Sequence, residues 1–135
     1  MRVVIDTNCF LAMIPKVSPF RQVFDAFRAN QFELAVSTDI LAEYAEIFSQ
    51  RMTPAIADNL LELIDKQTNT ARIEIYYRWA LITADYDDNK FVDCAISAGA
   101  NYIVTHDRHF DALAAREFPA VTCISLTKFM ALLDP

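Results

Sequence analysis

Short apolar runs constrain the fold of this chain more than any other feature of its sequence. Runs dominated by apolar residues indicate strands that are buried on both faces. Segments with helical periodicity separate these runs, as expected for a parallel sheet that is covered by helices. The predicted strands are residues 3–5, 32–36, 73–77, 102–104 and 121–124. The pattern therefore predicts an α/β fold of three layers, with a Rossmann-like central parallel sheet of four to five strands.

Helical segments between the predicted strands are marked by apolar periodicity and by local boundary signals. Thr53 and Pro54 are residue types preferred at the cap and the first position of a helix. Gly99 is a typical C-terminal stop. We expect helices at residues 19–29, 37–50, 53–68, 87–99 and 112–117, and a last helix from about residue 127. We expect the tripeptide at residues 6–8 to be a loop.

The composition indicates a single domain and excludes several kinds of site. Of the 135 residues, 54% are hydrophobic and 22% are charged, so residues 1–135 can form one domain with its own core. A single glycine excludes the glycine-rich loops that bind phosphates or dinucleotides. Cys9, Cys94 and Cys123 form no CxxC pair. We expect them to be core residues in a reducing compartment, which argues against a zinc site or a catalytic thiol.

The N-terminal sequence and the hydropathy of the chain predict its cellular location. The first residues, MRVVID, lack the apolar run and the cleavage site of a signal peptide. No uncharged stretch of the sequence is long enough to span a membrane. We therefore expect a cytoplasmic protein without a membrane segment.

The net charge of −6 argues against a protein that binds nucleic acid through phosphate contacts alone. Two interpretations stay open. The protein does not bind nucleic acid, or cations held by a cluster of carboxylates reverse the sign of the local field. The positions of the acidic residues make the second interpretation attractive.

Acidic residues follow two of the predicted strands. Asp6 ends the first strand, and Asp107 lies just past the strand at residues 102–104. In open α/β sheets, ligands bind beyond the carboxyl ends of the strands, where the strand order reverses. A turn or a helix cap is the alternative for one such residue, and the second occurrence weakens that alternative.

Helical projection separates the other acids. At about 100° per residue, Asp88 projects to the middle of the apolar face of its helix, whereas Asp93 projects to the opposite, solvent side. Glu43 lies at the edge of the apolar face of the helix at residues 37–50, and Glu46 projects farther toward solvent. The projection therefore favours Asp88 and Glu43 as site residues.

Four carboxylates at one edge of a sheet would repel one another, so such a cluster needs cations. Oxygen ligands suit Mg²⁺ or Mn²⁺, which carboxylates hold together with waters and substrate phosphate. We expect the neighbouring acids Asp85 and Asp87 to be loop and capping residues.

Four motifs in their order along the chain resemble the PIN domain family. They are VVIDTN at residues 3–8, STDILAEY at 37–44, DDNKFVDCAISAGANYIVTHD at 87–107 and CISLTKFM at 123–130. The third block resembles a subfamily of toxin components of toxin–antitoxin pairs, related to the VapC-like toxins. The resemblance covers essentially the whole chain. His106 is one departure, since it stands where Gly is common.

The resemblance implies a Mg²⁺- or Mn²⁺-dependent ribonuclease that hydrolyses phosphodiester bonds of RNA. It assigns metal binding and catalysis to four acids, which are Asp6, Glu43, Asp88 and Asp107. Asn8 and Thr105 match positions that support the site. Asp93 matches a position that is often acidic in the subfamily, in conflict with its solvent-side projection.

Three basic or polar residues flank the acids and are candidates for phosphate contacts: Lys90, Arg108 and His109. Solvated surface charge is the alternative for each. A second function class is a PIN-like module that binds RNA or protein without cleavage, and loss of an acid would be its signature. A third class, a haloacid-dehalogenase-type phosphohydrolase, needs a second Asp two residues after Asp6, where this chain has Asn8.

The apolar residues of one predicted helical pair indicate a surface for a protein partner. The helix at residues 53–68 and the end of the helix before it carry more apolar residues than one core-facing stripe needs. These residues are Phe48, Met52, Ile56, Leu60, Leu61, Leu63 and Ile64. We predict a homodimer that buries this pair and extends a groove for single-stranded RNA. The alternative is a cognate antitoxin that covers the same surface.

Overall fold

The computed structural model describes residues 1–133 and shows a five-stranded, all-parallel sheet. Its strands are β1 (Arg2–Ile5), β2 (Glu33–Val36), β3 (Thr70–Arg72), β4 (Tyr102–Val104) and β5 (Cys123–Ile124). Their order in the sheet is β3-β2-β1-β4-β5, with every neighbouring pair parallel. The predicted α/β fold with a parallel sheet is confirmed.

Helices connect the strands, as a parallel sheet requires. The α-helices are α1 (Thr7–Met13), α2 (Arg21–Arg28), α3 (Thr38–Arg51), α4 (Pro54–Lys66), α5 (Asn89–Ala98) and α6 (Leu126–Leu133). Two 3₁₀ helices, Tyr86–Asp88 and Arg108–Leu113, precede α5 and follow β4.

The boundary signals in the sequence act where they were predicted. The side chain of Thr53 accepts a hydrogen bond from the backbone of Ile56, and Pro54 takes the first turn of α4. Gly99 ends α5 with a φ of 60°, a left-handed conformation that favours glycine.

The central strands are buried on both faces. Successive side chains of a strand point to opposite faces, and Val3, Val4 and Ile5 are all fully buried. The same holds for Leu34 and Ala35 in the neighbouring strand. The helices therefore cover both faces of the sheet, and its functional groups can reach solvent only at the strand ends.

The third strand lies at Thr70–Arg72, and not at residues 73–77 as predicted. Thr70 pairs with Leu34, and Arg72 pairs with Val36, the last residue of β2. The Ile73 N–H still donates to the Val36 carbonyl at 2.8 Å, but beyond this point the neighbouring chain has already turned into α3. Residues 73–84 consequently leave the sheet without regular secondary structure.

Two further local predictions were wrong. The expected loop after β1 is the helix α1, since the Asp6 carbonyl accepts the Phe10 N–H at 2.9 Å and Cys9, Phe10 and Met13 pack into the core. The helix expected at residues 112–117 is the earlier 3₁₀ helix Arg108–Leu113, which begins where the Asp107 carboxylate accepts the His109 N–H. In both cases, the helix lies where its apolar residues can pack into the core.

The helical pair α3–α4 exposes less apolar surface than its sequence predicts. Phe48, Leu60 and Ile64 belong to the internal core, so they cannot contribute to an interface. Ile56 is 54% exposed, while Leu61 and Leu63 are partly buried against the core, as is Met52. Within residues 1–133, no helix has the length and apolar character needed to cross a membrane.

Candidate active site

The strand order reverses at the centre of the sheet. β1 has β2 on one side and β4 on the other, so the connections that follow β1 and β4 leave in different directions. A crevice opens at such a switch point, beyond the carboxyl ends of the strands. Asp6 follows β1, and Thr105 and Asp107 follow β4. These three residues therefore lie at the crevice.

Asp6 is a buried carboxylate among other carboxylates. Only 7% of the residue is exposed, and its Oδ2 accepts a hydrogen bond from the Thr105 hydroxyl at 2.9 Å. The pKa of Asp6 is raised to about 6 in total: burial raises it most, the Thr105 hydrogen bond lowers it, and the charges of Asp88, Glu43 and Asp107 raise it. The charges of the three other acids thus act on Asp6.

Thr105 links two of these acids. Its hydroxyl donates to Asp6 and accepts the backbone N–H of Asp107 at 3.0 Å. Oδ1 of Asp107 in turn accepts the His109 N–H at 2.9 Å, which caps the 3₁₀ helix after β4. The ends of β1 and β4 are therefore joined by side-chain hydrogen bonds as well as by the ladder of the sheet.

Glu43 reaches the crevice from α3. Its Oε2 accepts a hydrogen bond from the Thr7 hydroxyl, and its Oε1 lies 2.7 Å from Nζ of Lys90. The side chains of Lys90 and Glu43 are only 18% and 23% exposed. Glu46, one turn along α3, is exposed as predicted.

Asp88 lies with a histidine and a second aspartate. Its Oδ2 is 3.0 Å from Nδ1 of His109, and that nitrogen is also 3.4 Å from Oδ1 of Asp107. Burial raises the pKa of Asp88, although the hydrogen bond to His109 opposes this shift. The same hydrogen bond raises the pKa of His109. One ligand atom from each of Asp85, Asp88 and His109 lies within 4.8 Å of the others.

The role of Asp85 goes beyond the capping that its sequence position predicts. Its Oδ1 does accept the Asp87 N–H at 3.1 Å and caps the 3₁₀ helix before α5. Its carboxylate also stands beside those of the site, since a ligand atom of Asp85 lies within 4.8 Å of Asp88 and His109. The Asp-x-x-Asp spacing was the signal for this pair, but the type of helix could not be recognised from apolar periodicity.

Asp93 is buried, so its predicted solvent-side position is wrong. Only 2% of the residue is exposed, and its Oδ1 accepts the Trp79 N–H at 3.0 Å. The projection failed because residues 73–84 leave the sheet and pack against α5. The buried side chain of Asn89, on the same helix, also bonds to both the N–H and the carbonyl of Ile82.

Two cavities flank the carboxylates. One, of about 390 Å³, is lined by Glu43, Lys90 and Asp93 together with polar residues of α3 and of the segment before α5. The other, of about 240 Å³, is lined by Asp6, Asn8, Cys9, His106 and Asp107. Glu43 therefore borders one cavity, and Asp6 and Asp107 border the other.

The remaining predicted residues lie at the border of the site. Asn8 is exposed beside Asp6. His106 accepts the Leu126 N–H on its Nε2 at 3.1 Å, so this ring nitrogen ties the loop after β4 to the start of α6. Arg108 is exposed and lines an adjoining cavity with Lys128.

The cysteines have the character of core residues. Burial raises the pKa of Cys9 and Cys94 to about 12, and that of Cys123 to about 11. All three thiols therefore stay protonated near neutral pH, and none is a thiolate nucleophile. Their predicted structural role agrees with this environment.

The sequence match decides the family. A family model described as the PIN domain matches residues 2–109, which include β1 to β4 and every acid described above. The chain belongs to the PIN domain family. PIN domains are generally nucleases, and PIN nucleases typically use divalent metals.

Solved structures show the same PIN fold. A chain of VapBC2 from Rickettsia felis, bound to a DNA fragment from their promoter, has a TM-score of 0.64 at 17% identity, over 93% of this chain and 98% of that one. A chain of VapBC-1 from nontypeable Haemophilus influenzae has a TM-score of 0.59 at 15% identity, over 94% and 99%. The RRP44 PIN domain of T. brucei has a TM-score of 0.52 at 12% identity, over 96% and 78%. No curated protein matches the sequence.

The oxygen atoms of this PIN domain fit a hard divalent cation. Among residues 1–133, the described hydrogen bonds engage one carboxylate oxygen each of Asp6, Asp88 and Asp107, and leave the second oxygen of each free. Burial of its charge and repulsion by the neighbouring carboxylates raise the pKa of Asp6. A bound cation would offset both unfavourable effects. The donor set is thus chemically suited to Mg²⁺ or Mn²⁺.

Proposed function

We propose that this PIN domain is a Mg²⁺- or Mn²⁺-dependent endoribonuclease whose site consists of Asp6, Glu43, Asp88 and Asp107. The observation that carries the proposal is the buried carboxylate of Asp6 beside the carboxylates of Glu43, Asp88 and Asp107, whose charges add to burial in raising its pKa to about 6. A protein seldom keeps such a cluster without a cation to offset it. A bound divalent ion supplies the acidity that activates water and offsets charge on the phosphate.

Each residue of the chain has a distinct part in this proposal. Asp6, Asp88 and Asp107 each keep one oxygen outside the described hydrogen bonds, and Asp6 and Asp107 follow the strands at the switch point of the sheet. Thr105 orients Asp6 through its hydroxyl, and supporting groups of this kind keep a site in its productive geometry. The exposed Asn8 and Arg108 border the acids on the solvent side, where we propose that RNA approaches.

His109 has two candidate parts. Its Nδ1 lies between Asp88 and Asp107, so it can orient these carboxylates, while its other ring nitrogen remains for a phosphate contact. Lys90 is held by Glu43 at 2.7 Å, and a phosphate contact would require it to leave that carboxylate. Among the three residues predicted to bind phosphate, we therefore favour Arg108 and His109.

We further propose that the protein is the toxin of a type II toxin–antitoxin pair and acts in the cytoplasm. Its support is the fold shared with chains of two VapBC structures. A cognate antitoxin is the corresponding partner, and α3–α4 is the candidate surface for it or for a second copy of the chain. We propose that a second copy binds there, with Ile56, which is 54% exposed, as the apolar residue that the contact would bury.

Cleavage of RNA by the purified protein tests the proposed function. Single-stranded RNA incubated with the protein should be cut in the presence of Mg²⁺ or Mn²⁺ and stay intact in EDTA. Asp6→Asn should reduce the rate by more than about 100-fold, since a metal ligand and its charge are lost. A folded wild-type protein that binds RNA but never cuts it would favour the alternative, a PIN-like module that binds without cleavage.

A further inference from the structure

Three aromatic side chains form an exposed cluster on the segment between β3 and α5 and on the chain before β5. The ring centroids of Tyr77 and Trp79 are 4.6 Å apart, and those of Trp79 and Phe118 are 6.1 Å apart. Tyr77 is 62% exposed and Phe118 is 80% exposed. Burial of such rings is strongly favourable, so an aromatic cluster that stays in contact with solvent indicates a surface for a ligand.

Two side chains of α5 hold the backbone of this aromatic cluster. Asp93 accepts the Trp79 N–H at 3.0 Å, and the buried side chain of Asn89 bonds to both the N–H and the carbonyl of Ile82. The chain that carries Tyr77 and Trp79 is therefore anchored to a helix of the core, although it has no regular secondary structure of its own.

The aromatic cluster adjoins the cavity of about 390 Å³ that Glu43 lines. Arg78 stands between Tyr77 and Trp79 in the chain, and it lines this cavity together with Glu43. Consecutive Cα atoms are only about 3.8 Å apart, so a strand of RNA in the cavity needs no long span to reach the rings. Tyr86, which is 69% exposed, lines the same cavity.

The charges of this cavity favour bases over phosphates as the groups that bind beside it. It is lined by five carboxylates and by two cations, Arg78 and Lys90, each of which is already paired with a carboxylate. Such a surface repels phosphates. A nucleobase is uncharged, and its flat face stacks on an aromatic ring whatever the identity of the base. Stacking is therefore a way in which a protein with a net charge of −6 can hold RNA.

The arrangement of the rings leaves faces open for stacking. Tyr77 and Phe118 meet Trp79 at interplanar angles of 64° and 83°, and an edge-to-face contact covers at most one face of one ring. Aliphatic side chains of the same segment, Ile75 and Leu81, pack against the core. The exposed surface thus consists of rings whose aliphatic neighbours are turned inward, which favours flat bases over a protein partner with an apolar interface core.

We propose that Tyr77, Trp79 and Phe118 form a platform on which unpaired bases of single-stranded RNA stack beside the active site. The platform accepts any base, because every base has an aromatic face. It excludes duplex RNA, whose bases are already stacked on one another. This inference rests on the proposed ribonuclease function and specifies how its substrate is held.

Binding of RNA to the metal-free protein tests the inference without cleavage. In EDTA, the fluorescence anisotropy of a labelled oligouridylate of about 12 nucleotides measures the Kd. Tyr77→Leu and Phe118→Leu stay apolar but lose the ring, and each should weaken binding by about five-fold or more. Tyr77→Phe keeps the ring and should bind as the wild type does. Tyr76→Ala, which removes a neighbouring ring that is 89% exposed and has no described contact with the cluster, should also bind as the wild type does.

An abasic oligomer with the same backbone separates bases from phosphates. It should bind the wild type more weakly than the oligouridylate, and Tyr77→Leu should weaken it no further. A merely structural role of Tyr77 would weaken both oligomers equally. The Kd ratio of variant to wild type should stay constant between about 50 and about 200 mM salt, since stacking, unlike phosphate contacts, releases no counterions. Circular dichroism establishes that each variant is folded.

Three results would overturn the inference. They are a wild type that does not bind the oligouridylate, folded leucine variants that bind it as the wild type does, and an equal loss of binding in Tyr76→Ala. If the leucine variants kept RNA binding but sedimented as smaller species than the wild type, the cluster would be a protein contact.

Cleavage in Mn²⁺ distinguishes this inference from the function on which it rests. A wild type that cuts RNA, with leucine variants that bind normally, would overturn the platform and leave the ribonuclease standing. A wild type that binds RNA through the rings but never cuts it would overturn the ribonuclease and leave the platform standing.

Discussion

The hydroxyl of Thr105 donates a hydrogen bond of 2.9 Å to Oδ2 of Asp6, and this contact joins residues that are 99 positions apart in the chain. Asp6 ends β1 and Thr105 follows β4, the two strands between which the sheet reverses its order. The contact opposes part of the pKa increase that burial imposes on Asp6. The orientation and the charge state of Asp6 therefore both depend on Thr105.

Thr105→Val should raise the pKa of Asp6 above about 6, because it removes the hydrogen bond that lowers this pKa. The variant also leaves the Asp107 N–H without its acceptor, and loss of a buried partner costs about 1–3 kcal/mol of stability. Carboxyl NMR titration of the metal-free protein measures the pKa, and urea unfolding measures the stability. Thr105→Ser keeps the hydroxyl and should restore both values. An unchanged Asp6 pKa in folded Thr105→Val would contradict the assigned contact.

The metal-free protein should lose stability as the pH rises from about 4 to about 6. The folded-state pKa of Asp6 is raised from 3.8 to about 6, so the folded protein binds more protons than the unfolded chain in this range, and its stability falls with pH. A pKa shift of this size corresponds to a decrease of about 3 kcal/mol in the free energy of unfolding. The decrease is complete above about pH 6. Denaturant unfolding in EDTA at several pH values measures the effect.

Asp6→Asn provides the control for this pH dependence. The variant has no charge to bury, so the decrease attributed to Asp6 should disappear and its stability near pH 7 should exceed that of the metal-free wild type. Mn²⁺ at about 100 times its Kd should stabilise the wild type by about 2.7 kcal/mol and the variant much less. Equal stabilisation of both proteins would place the ion away from Asp6.

Asp93→Ala should destabilise the protein by about 1–3 kcal/mol, because the Trp79 N–H loses its acceptor in a part-buried position. Residues 73–84 should then be cut faster by proteases, since one of their contacts to α5 is gone. Trp79 is the only tryptophan in the chain, so its fluorescence reports on this segment directly. Asp93→Asn keeps an acceptor oxygen and should behave almost as the wild type. If the alanine variant were equally stable and equally resistant, Asp93 would not anchor the segment.

Ile56→Glu should convert the proposed homodimer to a monomer and leave the fold intact. Ile56 is 54% exposed on α4, so a charge there costs the isolated chain little, whereas a buried interface would not accept it. Sedimentation at tens of micromolar compares the variant with the wild type. Gln22→Glu adds the same charge at an exposed position of α2 and should not alter the association. A wild type that sediments as a monomer would exclude the dimer.

The sequence alone determined the features that local chemistry controls. Strands that are buried on both faces must be apolar. The apolar runs around Val4 and Ile103 therefore predicted a parallel sheet that is covered by helices. Asp6 and Asp107 could be placed at one edge because all carboxyl ends of parallel strands meet there. The cap at Thr53 and the stop at Gly99 act within one turn of a helix, so no distant residue was needed to recognise them.

Only the tertiary structure decided the features that depend on distant partners. β3 stops at Arg72 because its neighbour β2 has already ended, and the freed segment then covers Asp93, which a projection of α5 alone assigns to solvent. His109 contacts Asp88 across 21 positions, and Lys90 contacts Glu43 across 47. Such contacts depend on how distant elements are placed relative to one another. The periodicity of a single helix or strand does not encode this placement.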